Sequence, residues 1–121
     1  MRRILAVDDD KDILELLQYI LEDSGYDVDT LSDGSYLFEK IKAHMPDLIL
    51  LDIMLGNTDG RQLCKDVKAK RETHNIPVIL VSASHNVAVS MNQHGGPDAF
   101  VAKPFDINEL LDIIKLQLPA A

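Results

Sequence analysis

Short apolar runs alternate along this chain with longer segments in which apolar residues recur at helical spacing. Ile4-Leu5-Ala6-Val7 is the first run and reads as a buried strand. From Asp10 to Ser24, the residues Ile13, Leu14, Leu16, Leu17, Ile20 and Leu21 form a stripe that predicts a helix with those side chains inward. Gly25 is a natural stop for it. Tyr26 to Leu31 reads as a second short strand, and Ser35 to His44 as a second helix facing inward through Leu37, Phe38 and Ile41, broken at Pro46. Leu48-Ile49-Leu50-Leu51 has no polar alternation, which fits a central parallel strand covered on both faces. Asp52 to Asp59 reads as a loop with Gly56, Asn57 and Gly60 as turn residues, and Arg61 to Arg71 as a helix burying Leu63, Cys64 and Val67. Ile76 to Val81 and Ala99 to Ala102 complete five strands. The last helix starts at an Asp106 cap with Glu109 three residues on, carries Leu110, Leu111, Ile114 and Leu118, and stops at Pro119. Phe105 and Leu110 are placed to form a hydrophobic staple at its start.

The order is a strand and a helix, five times over. Such alternation predicts an α/β fold with a parallel sheet and right-handed crossovers. A length of 121 residues fits one domain, residues 1–121, able to bury a core without metal or disulfide staples. The 46% hydrophobic and 26% charged content is that of a soluble globular protein. A formal net charge of −8 argues against direct binding to nucleic acid or an anionic membrane. Cys64 is the only cysteine, so no intramolecular disulfide can form, and a cytoplasmic location is expected. No apolar run approaches the roughly 20 residues of a membrane span. The first residues briefly mimic a signal peptide, but Asp8-Asp9-Asp10 ends that run too early.

In open α/β sheets, sites form at the carboxyl ends of the strands. The first strand is followed by Asp8 and Asp9, the third by Asp52, the fourth by Ser82 and the fifth by Lys103 and Pro104. Each residue alone has a structural explanation: the acidic residues as helix caps or turn residues, Ser82 as a loop hydroxyl, Lys103 as a surface charge. Together they bring three carboxylates, a hydroxyl and an ammonium to one edge. Crowded carboxylates call for a cation. Mg²⁺ suits them, being a hard ion bound by a few carboxylates and waters. A carboxylate can also attack phosphorus, and a metal, a lysine and a hydroxyl can stabilise the phosphoryl charge that develops.

At these residues the sequence resembles the receiver domains of two-component response regulators. The matching pieces are ILAVDDD, DLILLDIML followed by TDG, VILVSAS, and DAFVAKPF, and the resemblance runs from Arg3 to about Leu118. It implies a flavodoxin-like (βα)5 fold, a five-stranded parallel sheet of order 2-1-3-4-5 with helices on both faces; this order is the one generally associated with chemotaxis receivers. It implies Asp52 as phosphoacceptor, with Mg²⁺ held by Asp8, Asp9, Asp52 and the backbone carbonyl of Met54. Ser82 and Lys103 would contact the phosphoryl group, and Ser82 with Phe100 would form the switch. A cis Lys103–Pro104 bond is also implied. The implied partners are a sensor histidine kinase or histidine phosphotransfer protein and a downstream effector, with a homodimer formed on phosphorylation compatible with the family. Ile13 and Phe105, beside the site, are expected to help dock the phosphodonor. The domain would be no enzyme beyond its own phosphorylation and dephosphorylation. Haloacid-dehalogenase-type phosphatases place a second Asp two residues after the nucleophile, where this chain has Met54. The competing reading is a degenerate receiver that acts only as a protein-binding module.

The chain departs from the family pattern in two places. Gly56 stands where proline is usual, which predicts a looser loop. The stretch from Ser84 to Pro97 holds mediocre helix formers followed by Gly95-Gly96-Pro97, which predicts a short or mobile fourth helix and weakens the usual dimer surface. His44, His74, His85 and His94 have no metal-ligand spacing, so no zinc site is expected.

Overall fold

In the computed structural model, which describes residues 2–56, 58–82 and 96–118, the apolar runs stand side by side as one parallel sheet. Its strands are β1 (Arg3–Val7), β2 (Asp27–Leu31), β3 (Leu48–Asp52), β4 (Val78–Ser82) and β5 (Ala99–Ala102). They lie in the order β2-β1-β3-β4-β5, every neighbouring pair parallel. The order predicted from the resemblance is therefore the observed one. The described helices are α1 (Lys11–Asp23), α2 (Leu37–Ala43), α3 (Gly60–Ala69) and α4 (Ile107–Gln117).

Period-two alternation divides the strand residues between two cores. Leu5, Val7, Ile49, Leu51 and Leu80 pack against Leu37 and Ile41 of α2 and Leu63, Cys64 and Val67 of α3. Ile4, Ala6, Leu48, Leu50 and Ile79 pack against Leu14, Leu17 and Leu21 of α1 and Leu110 and Ile114 of α4. Helices thus cover both faces, which is why β3 is apolar throughout and wholly buried up to Asp52. Cys64 is buried among these residues, and burial pushes its thiol up to about 11, so it is packing rather than a nucleophile.

Several expected boundaries move for local reasons. Leu16 was expected inward but is 49% exposed. At about 100° per residue it falls beyond the arc that Leu14, Leu17 and Leu21 share. The second helix opens with a 3-10 turn at Gly34–Tyr36, whose Asp33 carboxylate accepts from Ser35 N. β4 starts at Val78 rather than Ile76, because Pro77 has no N–H to give the ladder. The predicted loop after Asp52 contains a short antiparallel hairpin, Met54–Leu55 against Thr58–Asp59. Gly56 turns it with φ +63, a conformation closed to proline. Gly25 behind α1 is likewise left-handed, with φ +97. The expected fourth helix over Ser84–Pro97 falls almost wholly outside the described residues, as do Asn57, His85, His94 and Pro119.

Candidate functional site

The triplet Asp8-Asp9-Asp10 divides its labour. Asp10 caps α1, its carboxylate accepting from the N–H groups of Asp12 at 2.9 Å and Ile13 at 3.3 Å. Asp8 sits one residue past β1 and is buried. Its Oδ1 accepts from Asp10 N at 2.9 Å, which orients it, and its Oδ2 meets Lys103 Nζ at 2.9 Å. Asp9 lies exposed beside them. Asp52 ends β3 and is only 5% exposed. Its Oδ1 accepts from Met54 N at 3.3 Å and its Oδ2 lies 3.4 Å from Lys103 Nζ. Ser82 ends the neighbouring β4, buried, and its carbonyl accepts from Lys103 N at 2.8 Å. That backbone bond holds Lys103 at the same edge. The Lys103–Pro104 peptide is cis.

Asp8, Asp9, Asp52, Met54, Ser82 and Lys103, together with Asp10 and Ile13, line one open cavity of about 400 Å³. The structure therefore brings together every predicted site residue but one. Phe100 does not line this cavity; it sits on β5, half-buried against the α2–α3 core. Phe105 is half-buried against the opposite core. Met54 offers its main-chain N–H to Asp52 while the residue as a whole is 75% exposed.

Gly60 is the residue whose importance a reading of the sequence as turns and helices missed. It is not a loop residue but the first of α3, capped by Asp59, whose side chain accepts from Arg61 N. Its N–H donates to Ile53 O at 2.8 Å. A Cβ there would collide with the carbonyl oxygen of Asp52 and press on the Cα of Ile53. The glycine lets α3 begin directly under the central carboxylate. The signal was present in Thr58-Asp59-Gly60, a cap followed by a glycine.

Charge is out of balance at this edge. Burial and the neighbouring charge of Asp8 push the Asp52 carboxyl up to about 6, against the opposing pull of Lys103 and the Met54 N–H. Burial alone would weaken the Lys103 ammonium, but its bond to Asp8 and the charges of Asp8 and Asp52 outweigh that and raise it above its ordinary value. One ammonium thus faces three carboxylates whose oxygens lie within 4.8 Å of one another. Among the described residues the donors are all hard oxygens, with no thiolate or imidazole beside them. That set fits a hard divalent cation such as Mg²⁺.

Comparison with known proteins follows the same lines. The sequence model of the response regulator receiver domain matches residues 4–115. Among solved structures, the chain is similar to a CheY-like response regulator receiver domain protein from Methanospirillum hungatei JF-1, with 32% identity and a TM-score of 0.86 over 98% of this chain and 94% of that one. It is similar to the receiver domain of NtrX from Brucella abortus, with 32% identity and a TM-score of 0.85 over 98% and 99% of the two chains. It is also similar to the signal receiver domain of a signal transduction histidine kinase from Syntrophus aciditrophicus, with 30% identity and a TM-score of 0.88 over 98% and 90%.

Proposed function

This chain belongs to the response-regulator receiver family of two-component signalling, and from that premise we propose that Asp52 accepts a phosphoryl group from the phosphohistidine of a sensor histidine kinase or histidine phosphotransfer protein. The observation that carries the proposal is the charge deficit: a buried Asp52 whose carboxyl is pushed up to about 6 beside Asp8, with one lysine, Lys103, in reach of both among the described residues.

In the proposed reaction an Asp52 carboxylate oxygen forms the bond to phosphorus as the donor's N–P bond breaks, the electron pair leaving on the imidazole nitrogen. Asp8, Asp9, Asp52 and the Met54 carbonyl would hold Mg²⁺, which when bound neutralises the carboxylates and draws charge from the phosphoryl oxygens. The chain supplies the rest. Lys103 is fixed by its backbone bond to Ser82 and by its bond to Asp8, so its ammonium waits beside Asp52 for the new negative charge. The Met54 N–H, already directed at Asp52, holds the acceptor's orientation. Ser82 offers a hydroxyl to a phosphoryl oxygen, and its movement lets Phe100 change its packing. That is a population shift in a surface read by an effector. Ile13, on the wall of the cavity, and Phe105 help seat the phosphodonor. The only reactions catalysed are the domain's own phosphorylation and dephosphorylation.

Intact mass after incubation with acetyl phosphate tests this directly. One added phosphoryl group is expected, dependent on Mg²⁺ and lost in Asp52→Asn. No adduct from acetyl phosphate or from a histidine-kinase donor would leave the degenerate, partner-binding reading.

A further inference from the structure

The edge of the sheet opposite Asp52 carries a second concave surface. It lies between the end of α2 with the following Met45 and the segment that leaves α3, residues 70–73. These residues precede β3 and β4, whereas the acidic site follows them. The groove is half open and measures about 660 Å³. Its floor is apolar: Ile41 is buried, Phe38 half-buried, and Met45 is 55% exposed at the rim.

The groove's charge runs against that of the chain. Lys42, Lys70 and Arg71 line it with one acid, Glu72, although the chain as a whole carries −8. Neither Lys42 nor Arg71 has an ion-pair or hydrogen-bond partner for its side chain among the described residues, and Lys70 Nζ lies 3.7 Å from the centroid of the Phe38 ring. That contact holds one cation over an aromatic face and leaves the others to solvent. Methionine, phenylalanine and arginine are residue types enriched at protein interfaces, and a thioether adapts its shape to what it meets. The backbone beneath is firm: Thr73 is buried, its hydroxyl donating to Val67 O at 2.6 Å, and His74 N donates to Lys70 O at 2.8 Å.

We propose that this groove docks an acidic peptide segment of a partner protein, one bulky apolar side chain entering over Phe38, Ile41 and Met45 while flanking carboxylates meet Lys42, Lys70 and Arg71. A membrane or nucleic acid is the poorer occupant, because the remaining acidic surface repels an extended polyanion, whereas a short segment reaches only the local cations. The surface shares no lining residue with the acidic cavity and lies at the other end of the strands.

The test is a titration of the full chain, followed by amide chemical shifts. The probes are a synthetic Glu- and Asp-rich peptide with a central Leu and Phe, its Ser-for-Leu/Phe counterpart, and phosphatidylserine vesicles. Saturable binding of the first peptide is expected, with shifts centred on Phe38 to Met45 and Lys70 to Thr73, weakening as salt is added. The double variant Lys42→Glu with Arg71→Glu changes two exposed heads, so it should fold, melt and react with acetyl phosphate as the native chain does, yet bind at least about tenfold more weakly. Equal binding of the Ser peptide, binding to vesicles alone, shifts centred elsewhere, or undiminished affinity in the variant would each overturn the proposal.

Discussion

The two edges of the sheet use the same residue types for opposite ends. At the edge where the strands begin, Lys68 of α3 meets Asp98 at 2.6 Å and also donates to the carbonyls of Ile76 at 2.8 Å and His74 at 3.4 Å. The Asp98 carboxylate accepts from Val78 N at 2.8 Å as well. One acid answers one base, and their shared backbone partners let the cluster join α3 to the starts of β4 and β5. At the other edge, Lys103 is shared between Asp8 and Asp52, with Asp9 alongside. The balanced edge is structure. The deficient edge holds more carboxylates than cations among the described residues, and the fold tolerates that deficit because both cores hold the strands in place.

Four changes sharpen this contrast, from the largest expected effect to the smallest. Gly60→Ala drives a methyl into the Asp52 carbonyl and should destabilise the fold by about 3 kcal/mol in urea unfolding, since overpacking against backbone leaves little room to relax. It should also abolish adduct formation, because Asp52 itself is displaced. Lys68→Met leaves Asp98 uncompensated at the balanced edge and should cost about 2 kcal/mol, less than for a fully buried pair because Asp98 is partly solvated. Its acetyl phosphate reactivity should survive.

At the deficient edge the sign reverses. Asp52→Asn should stabilise the metal-free protein at neutral pH by about 2 kcal/mol. The Asp52 carboxyl sits near 6 in the folded protein against an ordinary 3.8, so the folded state binds the extra proton. The contribution of Asp52 to stability is therefore greatest below the ordinary value and falls as pH rises through the interval up to about 6. The gain from Asp52→Asn should vanish at about pH 4, as denaturation series at both pH values would reveal. Smallest of all, Leu16→Ser on the exposed side of α1 should move stability by less than about 0.5 kcal/mol. A larger loss in a thermal melt would mean that Leu16 is covered by something the isolated chain presents to solvent.

How much of this was legible beforehand follows from where the information resides. The strand order and the two-sided burial followed from the family resemblance and from β3's lack of alternation, because full burial on both faces leaves a plain mark on composition. Asp8, Asp9, Asp52, Ser82 and Lys103 were legible because each lies at or just beyond a strand end, and parallel strands bring those ends to one edge. The exposure of Leu16 was not legible, since an apolar residue at the margin of a helical stripe can face either way. The service of Asp10 as a cap while Asp8 turns inward depends on the exit angle of β1, which composition does not encode. The contact beneath Gly60 is a distance between segments, and only a folded backbone reveals it.

An acidic edge short of positive charge should complete itself with a hard divalent cation. Thermal melts across a Mg²⁺ titration test it most directly. At about pH 7.5 Tm should rise steadily with the logarithm of Mg²⁺ concentration above Kd, reaching about 2.7 kcal/mol of added stability at a hundredfold excess over Kd. The rise should fade as pH is lowered through about 6 and be largely lost in Asp52→Asn. A Tm indifferent to Mg²⁺ at about pH 7.5, or raised equally in the variant, would contradict it.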